Sequence, residues 1–309
     1  MNVEKMPIGG WNTTAQVRSG GAAAANWHAR LWTRGDHSER GVVILVHGLG
    51  DHGGRFESFA RRVTRSGWAV LAVDLPGHGR SAGRRGALPR YDDVLAGIAA
   101  ARQQLSDRFD GQPQVLLGHS MGGNFAINYA LRQAEFDGRG QPPVDGVVLV
   151  APMLLPPQLL DRQKIFAAWG TGHLLPWIRV SKPAPIEQLT RHREMADRIQ
   201  NDPLQHSQIS LYLATQLVAQ GRHALDHAGA IETPTLVIYG SDDQLIDRAA
   251  CRNLALRMRG RGRVICWPDG RHDLVNDIDA DQVTAELTGW MNRLGNRSAT
   301  GMRPQSVAA

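Results

Sequence analysis

Lysine is nearly absent from this 309-residue chain. It occurs three times, at Lys5, Lys164 and Lys182, among 35 basic residues. Arginine supplies the rest and is spread over the whole length, with only short clusters such as Arg61-Arg62 and Arg84-Arg85. A nucleic-acid-binding surface gathers its basic groups on one element and interleaves aromatics. The net charge of +6 therefore reads as a compositional bias, with no nucleic-acid partner and at most a weak attraction to anionic surfaces. Cysteine is scarce too. Two residues, Cys251 and Cys266, cannot build a disulfide framework and are expected as isolated buried thiols. No apolar run reaches the roughly 18 residues that a membrane span requires, and the opening MNVEKMPIGGWNTTAQ lacks the apolar core of a secretory signal. A soluble, cytoplasmic protein is the expectation that follows. Cofactor signatures are missing as well. There is no G-x-x-x-x-G-K-[ST], no complete dinucleotide fingerprint and no H-E-x-x-H, so no nucleotide, NAD or metal is expected.

What is present is an ordinary globular mixture, 42% hydrophobic and 21% charged. Gly41–Val46 is a continuous, β-branched apolar run of the kind that suits a strand buried on both faces. Similar runs follow at Trp68–Val73, Val115–Leu117, Val147–Val150, Thr235–Tyr239 and Val264–Trp267, with one further strand at Trp27–Trp32. Helical segments at Phe56–Ser66, Val94–Arg108, Met121–Arg132 and Arg248–Arg257 alternate with them. This alternation predicts βαβ units and a mostly parallel sheet flanked by helices. The rhythm breaks between Pro152 and Asp226, where no buried-strand run occurs and Leu, Trp (Trp169, Trp177) and Pro are frequent. The expected organisation is a core over 1–151 and 227–295, an insertion over 152–226 and a disordered tail over 296–309.

Gly118-His119-Ser120-Met121-Gly122 fits G-x-S-x-G between a strand and a helix, the setting in which a sharp turn lifts a serine hydroxyl above the sheet. A serine needs a base to become a nucleophile, and the base needs an acid to orient it. In this type of fold both follow the serine in chain order. The loop after Thr235–Tyr239 offers Asp242 and Asp243, between which the spacing alone does not choose. The loop after Val264–Trp267 offers His272. Two backbone N–H groups must face the developing oxyanion. Met121, directly after the serine, and Leu49, in the glycine-rich loop after Gly41–Val46, are the candidates. His47, His52, His78 and His119 lack metal-ligand spacing and read as hydrogen-bonding histidines around the site.

Taken in order, HGLGDHGGRFESFA (47–60), DLPGHGRS (74–81), GHSMGG (118–123), NDPL (201–204) and GSDDQLID (240–247) resemble the monoacylglycerol lipase/lysophospholipase group of α/β-hydrolases. That group includes proteins labelled serine aminopeptidases. The resemblance runs from about residue 40 to 275 and is carried by the core far more than by the insertion. It implies the α/β-hydrolase fold, makes Asp243 the acid in G-S-x-D, and assigns Leu49 and Met121 to the oxyanion hole. It also makes the insertion a helical cap over an apolar acyl tunnel. Leu154, Leu155, Leu159, Leu160, Ile165, Phe166, Leu174 and Leu175 suit the tunnel wall or the packing of the cap itself. The tryptophans suit weak contact with a lipid surface.

The expected activity is hydrolysis of medium- to long-chain acyl esters by Ser120, His272 and Asp243, with a small-molecule acyl ester or lipid as substrate. A histidine base predicts activity that rises through a pKa of about 6–7. The rival readings are a serine hydrolase of another acyl compound (a peptide, a lactone or a carbon–carbon bond) and a ligand-binding protein that keeps its triad without turnover.

Overall fold

The apolar run at Val42–Val46 becomes a strand with every residue buried. Its alternate side chains feed two different cores. In the computed structural model, which describes residues 13–18, 26–35, 38–88, 90–106, 108–138, 141–157, 177–181 and 183–299, Val42, Ile44 and Val46 enter one apolar cluster. Val43 and Leu45 enter the other. A parallel strand covered on both faces has no polar side to show, which is why the sequence reads as unbroken hydrophobicity.

The described strands are β1 (Thr13–Arg18), β2 (Asn26–Trp32), β3 (Val42–Val46), β4 (Ala69–Val73), β5 (Gln114–His119), β6 (Gly146–Val150), β7 (Arg179–Ser181), β8 (Gln208–Ser210), β9 (Thr235–Gly240) and β10 (Gly262–Trp267). The helices are α1 (Glu57–Arg65), α2 (Tyr91–Ser106), α3 (Met121–Phe136), α4 (Ile186–Leu189), α5 (Arg193–Asn201), α6 (Leu211–Asp226), α7 (Arg248–Arg257) and α8 (Ala280–Ala299). Eight strands form one sheet in the order β1-β2-β4-β3-β5-β6-β9-β10. The β1–β2 and β2–β4 pairs are antiparallel, and all pairs from β4 to β10 are parallel. Residues of α2, α3, α6 and α7 build the cluster on one face; residues of α1 and α8 build the other. This is the mostly parallel, helix-flanked sheet that the alternation of runs predicts. β7 and β8 form a separate antiparallel pair inside the long connection between β6 and β9.

Register decides where the loops meet. Val46 lies opposite Val73 and Gly118, His119 opposite Val150, Val150 opposite Ile238, and Gly240 opposite Trp267. The parallel strands therefore end nearly level, and the loops after β3, β5, β9 and β10 leave from one carboxyl edge. Ligands bind at that edge in open α/β sheets.

Three expectations need correction or completion. Cys251 is buried, but Cys266 is exposed and both are free; Cys266 lies on β10, at the end of the described sheet order, whose residues are only partly covered or exposed. β1 pairs with β2 although no apolar alternation announced it. α8 runs to Ala299, past Asn296, where a disordered tail was expected; residues 300–309 lie outside the described ones. Of the proposed tunnel residues, Leu154 is fully buried in the core cluster and Leu155 packs against it. Leu159, Leu160, Ile165, Phe166, Leu174 and Leu175, with Trp169, lie outside the described residues. Among the described residues no helix is long and apolar enough to cross a membrane.

Candidate active site

β5 ends at His119 and α3 begins at Met121, so Ser120 alone makes the turn between them. Its backbone sits at φ 53°, ψ −117°, a region that costs a non-glycine residue about 1–3 kcal/mol. Surrounding bonds hold it there. Its N–H donates to the Val150 carbonyl at 2.9 Å, and its carbonyl accepts the N–H groups of Gly123 and Met153, each at 2.9 Å. The flanking glycines permit close approach rather than flexibility. A Cβ on Gly122 would overlap the carbonyl oxygens of Val46 and His47, and one on Gly118 would overlap that of Gly122. α3 therefore starts directly against the end of β3. A Cβ on Gly48 would stand 3.2 Å from the Ser120 Cβ, so the loop carrying Leu49 lies beside the serine.

His272 Nδ1 lies 2.8 Å from Asp243 Oδ2, with both side chains buried. The other Asp243 oxygen accepts the Leu245 N–H at 2.8 Å. Asp242, which spacing alone left open, is exposed, and among the described residues its carboxylate takes a long bond from the Ser241 hydroxyl. The histidine loop is held from two sides. His272 N–H donates to Gln188 O and Asp273 N–H to Leu189 O, both at the end of α4. His119, next to the serine, places Nε2 3.3 Å from the His272 carbonyl, with the rings 5.1 Å apart. Burial on its own lowers the His272 pKa, but the charge and hydrogen bond of Asp243 outweigh it and raise it above the ordinary 6.5. His119 goes the other way, down to about 4, through burial and the neighbouring His272.

Met121 is the first residue of α3, where a helix leaves its N–H without an intrahelical partner. Leu49 sits in a loop fixed by His47, whose Nδ1 lies 2.7 Å from the Gly48 carbonyl while its Nε2 accepts the Leu75 N–H at 3.0 Å. His52 bonds Asp202 at 2.8 Å, and His78 Nδ1 faces the Pro76 carbonyl at 3.0 Å. Among the described residues, no three His, Cys, Asp or Glu side chains converge as a metal site does.

Sequence reasoning missed one group. Arg55, in the 3-10 turn at Gly53–Phe56, is buried and pairs with both Asp51 and Asp273. Its Nε also donates to Asp51 Oδ1 at 2.7 Å. Burial alone would raise the Asp51 carboxyl, yet the Arg55 guanidinium holds it well below the usual carboxylate range. One cation thus ties the Leu49 loop to the His272 loop. The signals were present as an aspartate and an arginine four apart and an aspartate next to the histidine, but nothing in the sequence brings the two segments together.

Residues 37–279 match the family model described as serine aminopeptidase, S33. A monoacylglycerol lipase of Mycolicibacterium smegmatis is 29% identical over 269 residues, covering 84% of this chain and 91% of that protein. Phospholipase YtpA of Bacillus subtilis is 29% identical over 267 residues, covering 82% and 95%. Among solved structures, the Paleococcus ferrophilus monoacylglycerol lipase superposes with a TM-score of 0.76 at 26% identity, covering 87% and 99% of the two chains.

The His272–Asp243 pair has a pH signature. A histidine whose folded pKa is raised stabilises the protein fully below the unfolded value of 6.5, and that contribution is lost as pH rises through the folded value. A base must be neutral, so acylation should rise across the same window in which this stabilisation is lost. In Asp243→Asn the imidazole should titrate lower by NMR, and acylation should fall by about ten-thousand-fold, as loss of the tautomer-fixing carboxylate does in serine proteases. An unchanged titration in Asp243→Asn would contradict the pairing.

Proposed function

The chain belongs to the serine aminopeptidase, S33, family, and from that premise we propose that Ser120, His272 and Asp243 hydrolyse carboxylic esters of medium- to long-chain acyl groups. The protein is a monoacylglycerol lipase-like α/β-hydrolase and an ester-hydrolysing enzyme. The observation that carries the residue assignment is the buried 2.8 Å His272–Asp243 bond at the edge where Ser120 is held in a strained turn.

In the proposed mechanism, Ser120 Oγ attacks the ester carbonyl and His272 takes its proton. Asp243 holds the imidazole with its proton on Nδ1 and stabilises the imidazolium. The N–H groups of Leu49 and Met121 receive the oxyanion. Collapse breaks the bond to the alcohol, which leaves with the proton from His272. Water, deprotonated by His272, then cleaves the acyl-enzyme and releases the fatty acid.

The acyl preference rests on the connection between β6 and β9. We assign residues 152–226 as a cap on the core formed by 1–151 and 227–295. The lipase and phospholipase names of the relatives and the apolar content of 152–178 support a lipid ester as substrate. Trp177 and Ile178 are exposed on this segment, which supports weak contact of the cap with a lipid surface; a cytoplasmic location belongs to the same proposal.

The test is hydrolysis of p-nitrophenyl esters from acetyl to palmitoyl, with a monoacylglycerol and an amino-acid amide alongside, for wild type and Ser120→Ala. Turnover should peak at medium or long chains, include the monoacylglycerol and vanish in the variant. Turnover confined to the amide would replace the lipid reading with a peptidase. Sedimentation with anionic vesicles should retain wild type and lose Trp177→Ala; equal loss of both would remove the surface contact.

A further inference from the structure

We infer that the cap segment 202–210 positions the oxyanion hole, so that docking of this segment and formation of the hole are a single event. This rests on the reading of Leu49 as an oxyanion donor.

The Leu49 N–H belongs to the peptide plane that begins at the Gly48 carbonyl, so fixing that carbonyl and the next residue aims the N–H. The core fixes the first part. His47 Nε2 accepts the Leu75 N–H, which puts the ring proton on Nδ1, and Nδ1 donates to the Gly48 carbonyl at 2.7 Å. The residue on the far side of Leu49 is held from the cap. Gly50 adopts φ +72°, its carbonyl accepts the His206 N–H at 3.0 Å, and a Cβ there would overlap the His206 carbonyl. The two residues that follow continue the seam. Gln205 Nε2 donates to Asp51 Oδ1 at 3.4 Å, and His52 Nε2 donates to Asp202 Oδ2 at 2.8 Å, with His52 Nδ1 accepting the Gly54 N–H. Residues 50, 51 and 52 thus each meet the cap segment.

The far end of that segment is anchored in the same way on a different loop. Ser210 N–H donates to the Gly86 carbonyl at 2.8 Å, Gly86 has φ +67°, and a Cβ on it would overlap the Gln208 carbonyl. The Gly86 loop carries none of the groups assigned to the chemistry. One glycine socket therefore abuts the oxyanion donor and the other does not, and this separates positioning from general docking.

The experiment compares Gly50→Ala with Gly86→Ala and Leu49→Pro, each checked for folding by circular dichroism and melting. It reads kcat, KM and affinity for an alkyl boronic acid, whose tetrahedral adduct on serine places an oxygen in the hole. Gly50→Ala should lose about 10–100-fold in kcat, with a comparable loss of boronate affinity and little change in KM, because a misplaced donor acts on the transition state. Gly86→Ala should change KM, with kcat within about threefold of wild type, as expected when ground state and transition state lose binding equally. If Gly50→Ala does not fold, His206→Pro removes the donating N–H from the cap side and carries the same expectation. A folded Gly50→Ala with wild-type kcat, or the same KM-driven loss in both glycine variants, overturns the inference. Wild-type kcat in Leu49→Pro would instead remove Leu49 from the hole. An inactive Leu49→Pro beside a fully active Gly50→Ala would keep Leu49 and discard the coupling.

Discussion

The turn at Ser120 is the constraint around which the rest of the molecule is arranged. A side chain presented at the tip of a one-residue corner is unhindered, but its backbone is in a region that an isolated chain avoids. Only surroundings that over-determine the corner keep it there. β6 takes the Ser120 N–H, the first turn of α3 and Met153 share its carbonyl, and glycines let α3 press against the end of β3. Each of those contacts depends on the parallel register of β3, β5 and β6. The strain at one residue is thus supported by the central sheet.

Around that corner, charge and tautomer are set by burial. Arg55 sits out of water between two aspartates, an arrangement that is a weak source of net stability but is costly to break on one side. Its effect here is geometric, since it fastens the loop before α1 to the loop after β10. The histidines divide in a similar way. His272 gains a bonded carboxylate and becomes more basic, whereas burial and the neighbouring His272 make His119 much less so. A raised imidazole beside a lowered one suits the proton transfer proposed for His272.

Much of this was legible in the sequence, for physical reasons. Strands buried on both faces announce themselves as unbroken apolar runs, so β3, β4, β6 and β9 could be placed from composition alone. The G-x-S-x-G turn, the carboxylate after β9 and the histidine after β10 were legible because chain order and strand ends fix where such groups emerge. Spacing did not choose between Asp242 and Asp243, since adjacent residues differ only in which one turns inward; the choice of Asp243 came from the family resemblance alone. β1 lay hidden because an outer antiparallel strand needs no such run. The Arg55 cluster was hidden because its members are far apart in sequence and meet only through the register of the sheet. The grip of residues 202–210 on Gly50 was hidden for another reason, as it is made largely of backbone groups that every residue carries.

The most direct test of Ser120 as the nucleophile is covalent labelling. Wild-type protein treated with an alkyl fluorophosphonate should gain one phosphonyl group per chain by intact mass, and tandem mass spectrometry should place it on Ser120. The rate of labelling should climb with pH as His272 loses its proton. Absence of an adduct, or an adduct on any other residue with Ser120 left free, would contradict the triad and the acyl-enzyme mechanism built on it.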